Sequence, residues 1–130
     1  MTKLHEVAMQ WMELETKHPN ALADYLTDKG YKKIGIYGYD RMGKLLLKKL
    51  KDWETVVIDE MHKQADPEVR TIHTTVDKYP ETDMMIVSRF FEFDRIVDDI
   101  RSKTDAEIIP LDQFIEEICR QFGEENACCK

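Results

Sequence analysis

Three residues near position 40 have types and a spacing that suit the binding of a phosphate-bearing ligand. Gly38, Asp40 and Gly43 stand where the dinucleotide-binding pattern G-x-G-x-x-G has its three glycines. In that pattern the first glycine permits a tight turn, the second lets a pyrophosphate approach the backbone, and the third lets helix and strand pack closely. The chain keeps the first and third glycines and has an aspartate in place of the second. We therefore predict a ligand-binding turn, formed by Gly38, Tyr39, Asp40, Arg41, Met42 and Gly43.

Asp40 has two interpretations, which differ in what its carboxylate contacts. As the N-terminal cap of a helix, it would accept the amide proton of Met42 or Gly43. The carboxylate would then partly occupy the positive helix end that normally holds a pyrophosphate, with Arg41 and Lys44 nearby to offset its charge. Alternatively, Asp40 contacts a ligand directly, for instance through a sugar hydroxyl. We favour the cap, and with it a cofactor site that is lost or altered.

A second candidate binding residue, Asp59, comes at the end of the next predicted strand. It follows Gly38 by about 20 residues, the spacing at which an acidic residue hydrogen-bonds the adenosine ribose in dinucleotide-binding proteins. If a dinucleotide bound here, the carboxylate would favour an unphosphorylated ribose over a 2′-phosphate. The alternative is that Asp59 is a solvated turn residue.

The loop that leaves another predicted strand, Met84–Val87, supplies the far side of the same site. Ser88 is expected to donate a hydrogen bond to a ligand, Arg89 to pair with an anion, and Phe90 to cover a ring. This loop faces the crevice at which open α/β sheets bind ligands. The alternative is that Arg89 is solvated and that the phenylalanines at positions 90, 91 and 93 pack against the helix that begins near Asp94.

Short apolar runs separated by helical patterns predict the elements that position these residues. From Tyr31 onward the order is βαβ-β-βαβα. The predicted strands are apolar on both faces, which is typical of a parallel sheet that helices cover on both sides. Right-handed crossovers then favour a three-layer, Rossmann-like α/β domain with about five mainly parallel strands in the order 3-2-1-4-5. The predicted strands are Ile34–Tyr37, Thr55–Ile58, 69–73, Met84–Val87 and Glu107–Ile109.

The chain is predicted to have three parts. Residues 1–30 form a helical preface packed on the domain, with one helix over 3–17 that ends before Pro19 and a second that Gly30 caps. Residues 31–123 form the Rossmann-like domain, in which a helix is expected from Lys44 to Lys51. Residues 124–130 are expected to be a flexible tail.

Composition excludes several classes of function. A net charge of −7 argues against a general nucleic-acid binder, because the phosphate backbone would be repelled. No run approaches the ~20 apolar residues of a membrane span, and the N-terminus lacks a secretory h-region, so we expect a cytoplasmic protein. Cys119, Cys128 and Cys129 are expected to be free thiols in a reducing compartment.

The sequence contains no assembled catalytic constellation. The four histidines lack metal-ligand spacing, and there is no Gly-x-Ser-x-Gly elbow, phosphate-binding lysine loop or Cys/His pair. Tyr25 and Lys29 have the Tyr-x-x-x-Lys spacing of short-chain dehydrogenases but precede the glycine-rich turn, so we interpret them as a coincidence on an amphipathic helix. We predict no catalytic residue and no metal site.

With these residues identified, the stretch from Tyr31 to about Ile118 resembles the small bacterial Rossmann-like, NAD(P)-binding-type domains found in polysaccharide gene clusters. These look like truncated nucleoside-diphosphate-sugar epimerases, and they occur alone or attached to glycosyltransferases. The resemblance depends on the runs Ile34–Gly38, Arg41–Gly43 and Ile86–Phe93, and on Asp59. It implies a ligand-binding or scaffolding module with NAD or a nucleotide-sugar as ligand, and a homodimer or a glycosyltransferase-type protein as partner.

Three functions follow as hypotheses. The first is a non-catalytic module that binds a nucleotide or nucleotide-sugar, linked to polysaccharide biosynthesis. The second is a protein-interaction or scaffolding domain that has lost its cofactor site. The third is an NAD-dependent epimerase or oxidoreductase that acts with a partner.

Overall fold

The computed structural model describes residues 3–60 and 69–122 of the chain. Five α-helices, one short 3-10 helix and five strands form in these ranges. In chain order they are α1 (Lys3–Lys17), α2 (Ala21–Lys29), β1 (Lys33–Tyr37), α3 (Arg41–Lys49), β2 (Glu54–Asp59), β3 (Arg70–His73), β4 (Met84–Val87), the 3-10 helix (Phe90–Glu92), α4 (Phe93–Lys103), β5 (Glu107–Pro110) and α5 (Leu111–Phe122).

The strands form one parallel sheet in the order β3-β2-β1-β4-β5, which confirms the predicted α/β, Rossmann-like fold class. In the register of the sheet, Tyr37 of β1 lies opposite Ile58 of β2 and Val87 of β4. All four residues of β4 are buried, as are the last four of β1 and of β2. Burial on both faces is the reason that these runs are continuously apolar.

Helix α4 covers one face of the sheet. Its residues Ile96 and Ile100 belong to the same buried cluster as Tyr37, Ile58 and Val87. The connections β1–α3–β2 and β4–α4–β5 run in opposite directions along the sheet, so right-handed crossovers put α3 on the other face. The part of the chain that contains the sheet therefore has three layers: helix, sheet and helix.

The described residues divide into two compact units. One unit consists of the described residues in Tyr31–Leu111 and contains the sheet with α3 and α4; the other combines residues 3–30 with residues 112–122. Within the second unit, the ring of Tyr25 on α2 meets the ring of Phe114 on α5 edge to face, at 5.8 Å between centroids. The C-terminal helix thus groups with the two N-terminal helices. The packing of the preface on the sheet domain stays a prediction, and the expected tail at 124–130 lies outside the described residues.

Helix ends agree with the sequence patterns in some places and differ in others. Helix α1 spans 3–17 as predicted, and Gly30, with φ of +76°, caps α2 by donating to carbonyls in its last turn. Helix α3, however, begins at Arg41 instead of the predicted Lys44, because Asp40 already provides its cap. None of the helices in residues 3–60 and 69–122 is long and apolar enough to cross a membrane.

Candidate functional site

The structure brings the candidate binding residues to one edge of the sheet. Gly38, Asp59 and Ser88 each lie at or just beyond the carboxyl end of one of three adjacent strands, β1, β2 and β4. The register confirms the proximity: the Gly38 amide donates to the Ile58 carbonyl at 2.7 Å, and the Ser88 amide donates to the Tyr37 carbonyl at 3.0 Å. The strand order changes direction beside β1, where open α/β sheets form their ligand crevice.

The turn after β1 requires both of its glycines. Gly38 has φ of +106°, a conformation that side-chain-bearing residues rarely adopt, and a Cβ there would lie 2.6 Å from the Ser88 hydroxyl oxygen. A Cβ on Gly43 would lie 2.1 Å from the carbonyl oxygen of Gly38. The two glycines thus have the geometry expected of the first and third in the pattern, a tight turn and a close helix-to-strand contact.

Asp40 is the N-terminal cap of α3, as predicted. Its Oδ1 accepts the Gly43 amide at 2.9 Å, and its carbonyl accepts the Lys44 amide at 2.9 Å. The carboxylate therefore accepts one of the backbone amide protons at the helix start that a bound anion would otherwise accept. Lys44 extends over the ring of Tyr39, with Nζ at 5.2 Å from the centroid, so a positive charge remains beside the turn.

Asp59 is buried at the end of β2, with 4% of its surface exposed. Its Oδ1 accepts the backbone amide of Tyr39 at 3.4 Å, so the carboxylate faces the glycine-rich turn. The interpretation of Asp59 as a solvated turn residue is wrong, because a solvated side chain would be exposed. The hydrogen bond to a ribose stays a prediction.

Ser88 links two strands and does not face the crevice. It is fully buried, and its hydroxyl lies 2.9 Å from the carbonyl oxygen of Gly38 and 3.1 Å from that of Tyr37. A hydroxyl has one proton to donate, and here that proton is directed at the backbone. In this geometry Ser88 fastens the turn to β4, and the predicted hydrogen bond from Ser88 to a ligand finds no support.

Arg89 is partly exposed and is paired with two carboxylates. Its Nη2 lies 2.8 Å from Oε2 of Glu92, its Nη1 lies 3.9 Å from Oε1 of Glu60, and its side chain is one-third exposed. The side chain is thus in part solvated, as the alternative predicts, and in part engaged in ion pairs. The charge that we expected Arg89 to offer an anion is balanced by two carboxylates of the protein itself.

A network of four charges joins the end of β2 to the start of α4. Besides its contact with Arg89, Glu60 lies 3.0 Å from Nη2 of Arg95, which also lies 2.8 Å from Oε1 of Glu92. These hydrogen bonds to Glu60 and Glu92 raise the pKa of Arg95 above its ordinary value. Sequence reasoning missed this network. The three-residue spacings of Arg89, Glu92 and Arg95 were a usable signal, but nothing local connects Glu60 to them.

The phenylalanines of this loop have different environments. Phe90 is buried, and Phe93 packs against the buried cluster that includes Ile96 and Ile100 of α4. Phe90 is thus not available to cover a ligand ring, in contrast to the first interpretation. Phe91 differs from both, because 63% of its surface is exposed.

Behind the site, two buried tyrosines converge on one carboxylate. The hydroxyls of Tyr37 and Tyr79 lie 3.4 and 2.5 Å from Oδ2 of Asp99, and Lys103 lies 2.9 Å from its Oδ1. Burial, together with the negative charges of Asp99 and Glu60, raises the pKa of Tyr37 to about 12, and burial with the bond to Asp99 also raises the pKa of Tyr79. Burial acts to raise the pKa of Asp99, but hydrogen bonds from Tyr79 and Lys103 outweigh it, and the pKa falls below its usual range. At neutral pH both tyrosines are therefore protonated donors.

A cavity of about 490 Å³ opens at the other edge of the sheet. Its lining includes Thr82, which precedes β4, and Ala106, which precedes β5. It thus lies at the amino ends of the strands, away from Gly38. Within residues 3–60 and 69–122, no three His, Cys, Asp or Glu side chains are grouped in a way that could hold a metal ion. Cys128 and Cys129 lie outside the described residues.

Comparison of the chain with protein-family models, with curated proteins and with solved structures gives no match.

Proposed function

We propose that this chain is a non-catalytic module that binds a ribose-containing ligand, a nucleotide or nucleotide-sugar, at the turn between β1 and α3. One observation carries the proposal: the buried carboxylate of Asp59 faces the Gly38–Gly43 turn at the point where the strand order reverses. Ribose hydroxyls are donors that match a carboxylate acceptor, and a buried carboxylate forms strong, charge-assisted hydrogen bonds.

The charges around the turn favour ligands that carry few phosphates. Asp40 and Asp59 place two carboxylates beside the turn, and Arg89 is already neutralised by Glu60 and Glu92. A pyrophosphate at the start of α3 would meet like charge and would have to compete with the Asp40 cap. We expect nucleosides and nucleoside monophosphates to bind more tightly than NAD.

A non-catalytic role agrees with the chemistry of the neighbouring groups. Tyr37 and Tyr79 stay protonated at neutral pH and donate to Asp99, so neither is poised as a general base. The nucleotide-sugar as ligand, and a link to polysaccharide biosynthesis, come from the sequence resemblance to truncated nucleoside-diphosphate-sugar epimerases.

A thermal-shift panel tests the proposal. It should contain adenosine, AMP, UMP, NAD, NADP, UDP-sugars and CDP-sugars. A compound that binds raises the melting temperature, because a ligand at 100 times its dissociation constant stabilises the fold by about 2.7 kcal/mol. Asp59→Asn should weaken binding of the best ligand about tenfold or more, since it removes the charge that strengthens the ribose hydrogen bond. Asp52→Asn, at an exposed position, is the matched control and should leave affinity unchanged.

The 2′-deoxy analogue of the best ligand separates a ribose contact from a general charge effect. It should bind the native protein more weakly than the ribonucleotide does, and Asp59→Asn should lose most of that preference. If no compound in the panel shifts the melting temperature, the proposal is wrong.

The scaffolding alternative has one observation in its favour. The groups of this edge that would serve a ligand anion, the Gly43 amide and the Arg89 guanidinium, are occupied by Asp40, Glu60 and Glu92 of the chain itself. A protein-interaction domain would have this arrangement with no small-molecule ligand. The same panel discriminates the two functions, because a scaffold gives no shift with any compound.

A further inference from the structure

We infer that Phe91 is the platform on which the planar base of the ligand stacks. This inference rests on the proposed function, in which Asp59 recognises the ribose. It assigns a second residue, Phe91, to the base. Phe91 exposes 63% of its surface, whereas its neighbour Phe90 is buried. Phe91 follows β4 at the carboxyl end of the sheet, and a large apolar ring exposed to water there is a surface that an aromatic ligand can cover.

Contacts among its neighbours hold the turn that carries Phe91, and its ring contacts that of Phe90. Phe91 lies in the 3-10 helix Phe90–Glu92, where the Glu92 amide donates to the Arg89 carbonyl at 2.9 Å. The ion pair between Arg89 and Glu92 spans the same turn at 2.8 Å. Phe90 meets Phe91 edge to face, at 5.9 Å between centroids and 82° between planes, so the buried ring supports the exposed one.

Phe91 and Asp59 belong to the carboxyl ends of the two strands that flank β1. The preceding Arg89 packs its aliphatic stem against Gly38, since a Cβ on Gly38 would lie 3.1 Å from Cγ of Arg89. Asp59 is at the end of β2 and the loop of Phe91 leaves β4, with β1 between them. Two strand spacings, about 10 Å, therefore separate the two strand ends. A ligand lying across the turn would have its ribose toward Asp59 and its base toward Phe91.

The charges on the Phe91 side indicate which part of a ligand this side accepts. The guanidinium groups of Arg89 and Arg95 are both paired with Glu60 and Glu92, so this side presents an aromatic ring beside a balanced set of charges. An uncharged base loses little hydration free energy when it contacts such a surface. A phosphate, in contrast, would have to displace a carboxylate from one of the arginines. Base-on-aromatic stacking also tolerates different bases, because each has a π face.

Isothermal titration of the full chain with AMP, UMP and ribose 5-phosphate tests the inference. Phe91→Ala should weaken AMP and UMP about tenfold or more, the effect typical of losing one stacked base, and should leave ribose 5-phosphate unchanged. Phe91→Tyr keeps an aromatic face and should retain affinity. Met12→Ala, which removes a comparably exposed apolar side chain from α1, is the matched control. In Phe91→Trp, AMP should quench tryptophan emission more than in the native protein.

The outcomes separate the two ideas. If Asp59→Asn weakens AMP but Phe91→Ala does not, the stacking inference is wrong and the proposed function stands. If Phe91→Ala weakens AMP and ribose 5-phosphate equally, the ring does not recognise the base, and the inference is again wrong. If the native protein binds neither AMP nor UMP, both ideas fail together.

Discussion

Asp40 determines which group accepts the backbone amide protons at the start of α3. An aspartate one residue before a helix accepts an amide proton, and here it takes that of Gly43 at 2.9 Å. The same amide in a dinucleotide site would face the ligand's phosphates. The side chain therefore stabilises the helix and reduces the affinity of the turn for anions at the same time.

Asp40→Gly separates these two effects. Glycine is a tolerable cap, so the free energy of unfolding should fall by only a few tenths of a kcal/mol, measured by urea titration. The change removes a negative charge and restores all three glycines, so NAD binding should appear or strengthen in titration calorimetry. The gain should shrink with added salt if charge is its cause. A loss of several kcal/mol with unchanged NAD binding would show that Asp40 acts in some other way.

Gly43→Ala should be destabilising even though alanine favours helices. The new Cβ would lie 2.1 Å from the Gly38 carbonyl oxygen, so helix α3 would have to move away from β1. Overpacking of this kind costs about 1–3 kcal/mol, which exceeds the helix propensity that alanine adds. Lys48→Ala, at an exposed position on the same helix, should change stability by less than about 0.5 kcal/mol in the same urea titration.

One carboxylate joins α4 to the sheet and to the segment before β4. Asp99 of α4 lies within hydrogen-bond distance of the hydroxyls of Tyr37 on β1 and Tyr79 before β4, and Lys103 closes the group. Replacing Asp99 by Asn removes a charged acceptor from two buried donors. We expect a loss of about 1–3 kcal/mol in the free energy of unfolding.

Because of these tyrosines, we expect the free energy of unfolding to fall at high pH. The pKa of Tyr37 is about 12 in the folded chain against 10.0 for the ordinary side chain, so the unfolded chain loses its proton first. The contribution of protonated Tyr37 to the free energy of unfolding is complete below pH 10 and is lost as the pH rises from 10 to about 12. Urea titrations across this range should show the decline, and Tyr37→Phe should make it less steep. An equal decline in the native chain and the variant would contradict this origin.

The elements were largely predictable, because short-range patterns determine them. The doubly apolar runs around Ile36, Val57 and Ile86 predicted three buried parallel strands, and Gly30 and Asp40 predicted two helix ends. The predicted start of α3 at Lys44 is too late, because the second half of the glycine-rich turn, Arg41–Gly43, is already helical.

The sheet topology made the location of the site predictable but did not determine its side-chain contacts. Parallel strands share one carboxyl edge, so the loops after β1, β2 and β4 had to meet there. The partners within that edge could not be read from the sequence: the pairing of Glu60 with Arg95 and the burial of Ser88 depend on side chains far apart in the chain. The difference between Phe90 and Phe91 likewise depends on how one 3-10 turn orients each ring.

Hydrogen exchange should reflect the position of each strand in the sheet. Strand β1 is hydrogen-bonded on both sides and buried along four of its five residues, whereas β3 is an edge strand with no fully buried residue. Amides of β1 should therefore exchange only on global unfolding, and those of β3 should exchange first among the strands. Mass spectrometry of peptic fragments measures both. Equal protection of β1 and β3 would contradict the strand order.

The balanced network of Glu60, Arg89, Glu92 and Arg95 also bears on how a ligand arrives. The charges of two positive and two negative side chains cancel between the end of β2 and the start of α4, while the whole chain carries a charge of −7. This network therefore adds no local field that would draw a nucleotide inward, and the field of the whole chain repels an anion. Diffusional encounter with an anion should consequently be slow at low ionic strength and faster when salt screens the repulsion, the reverse of a steered association.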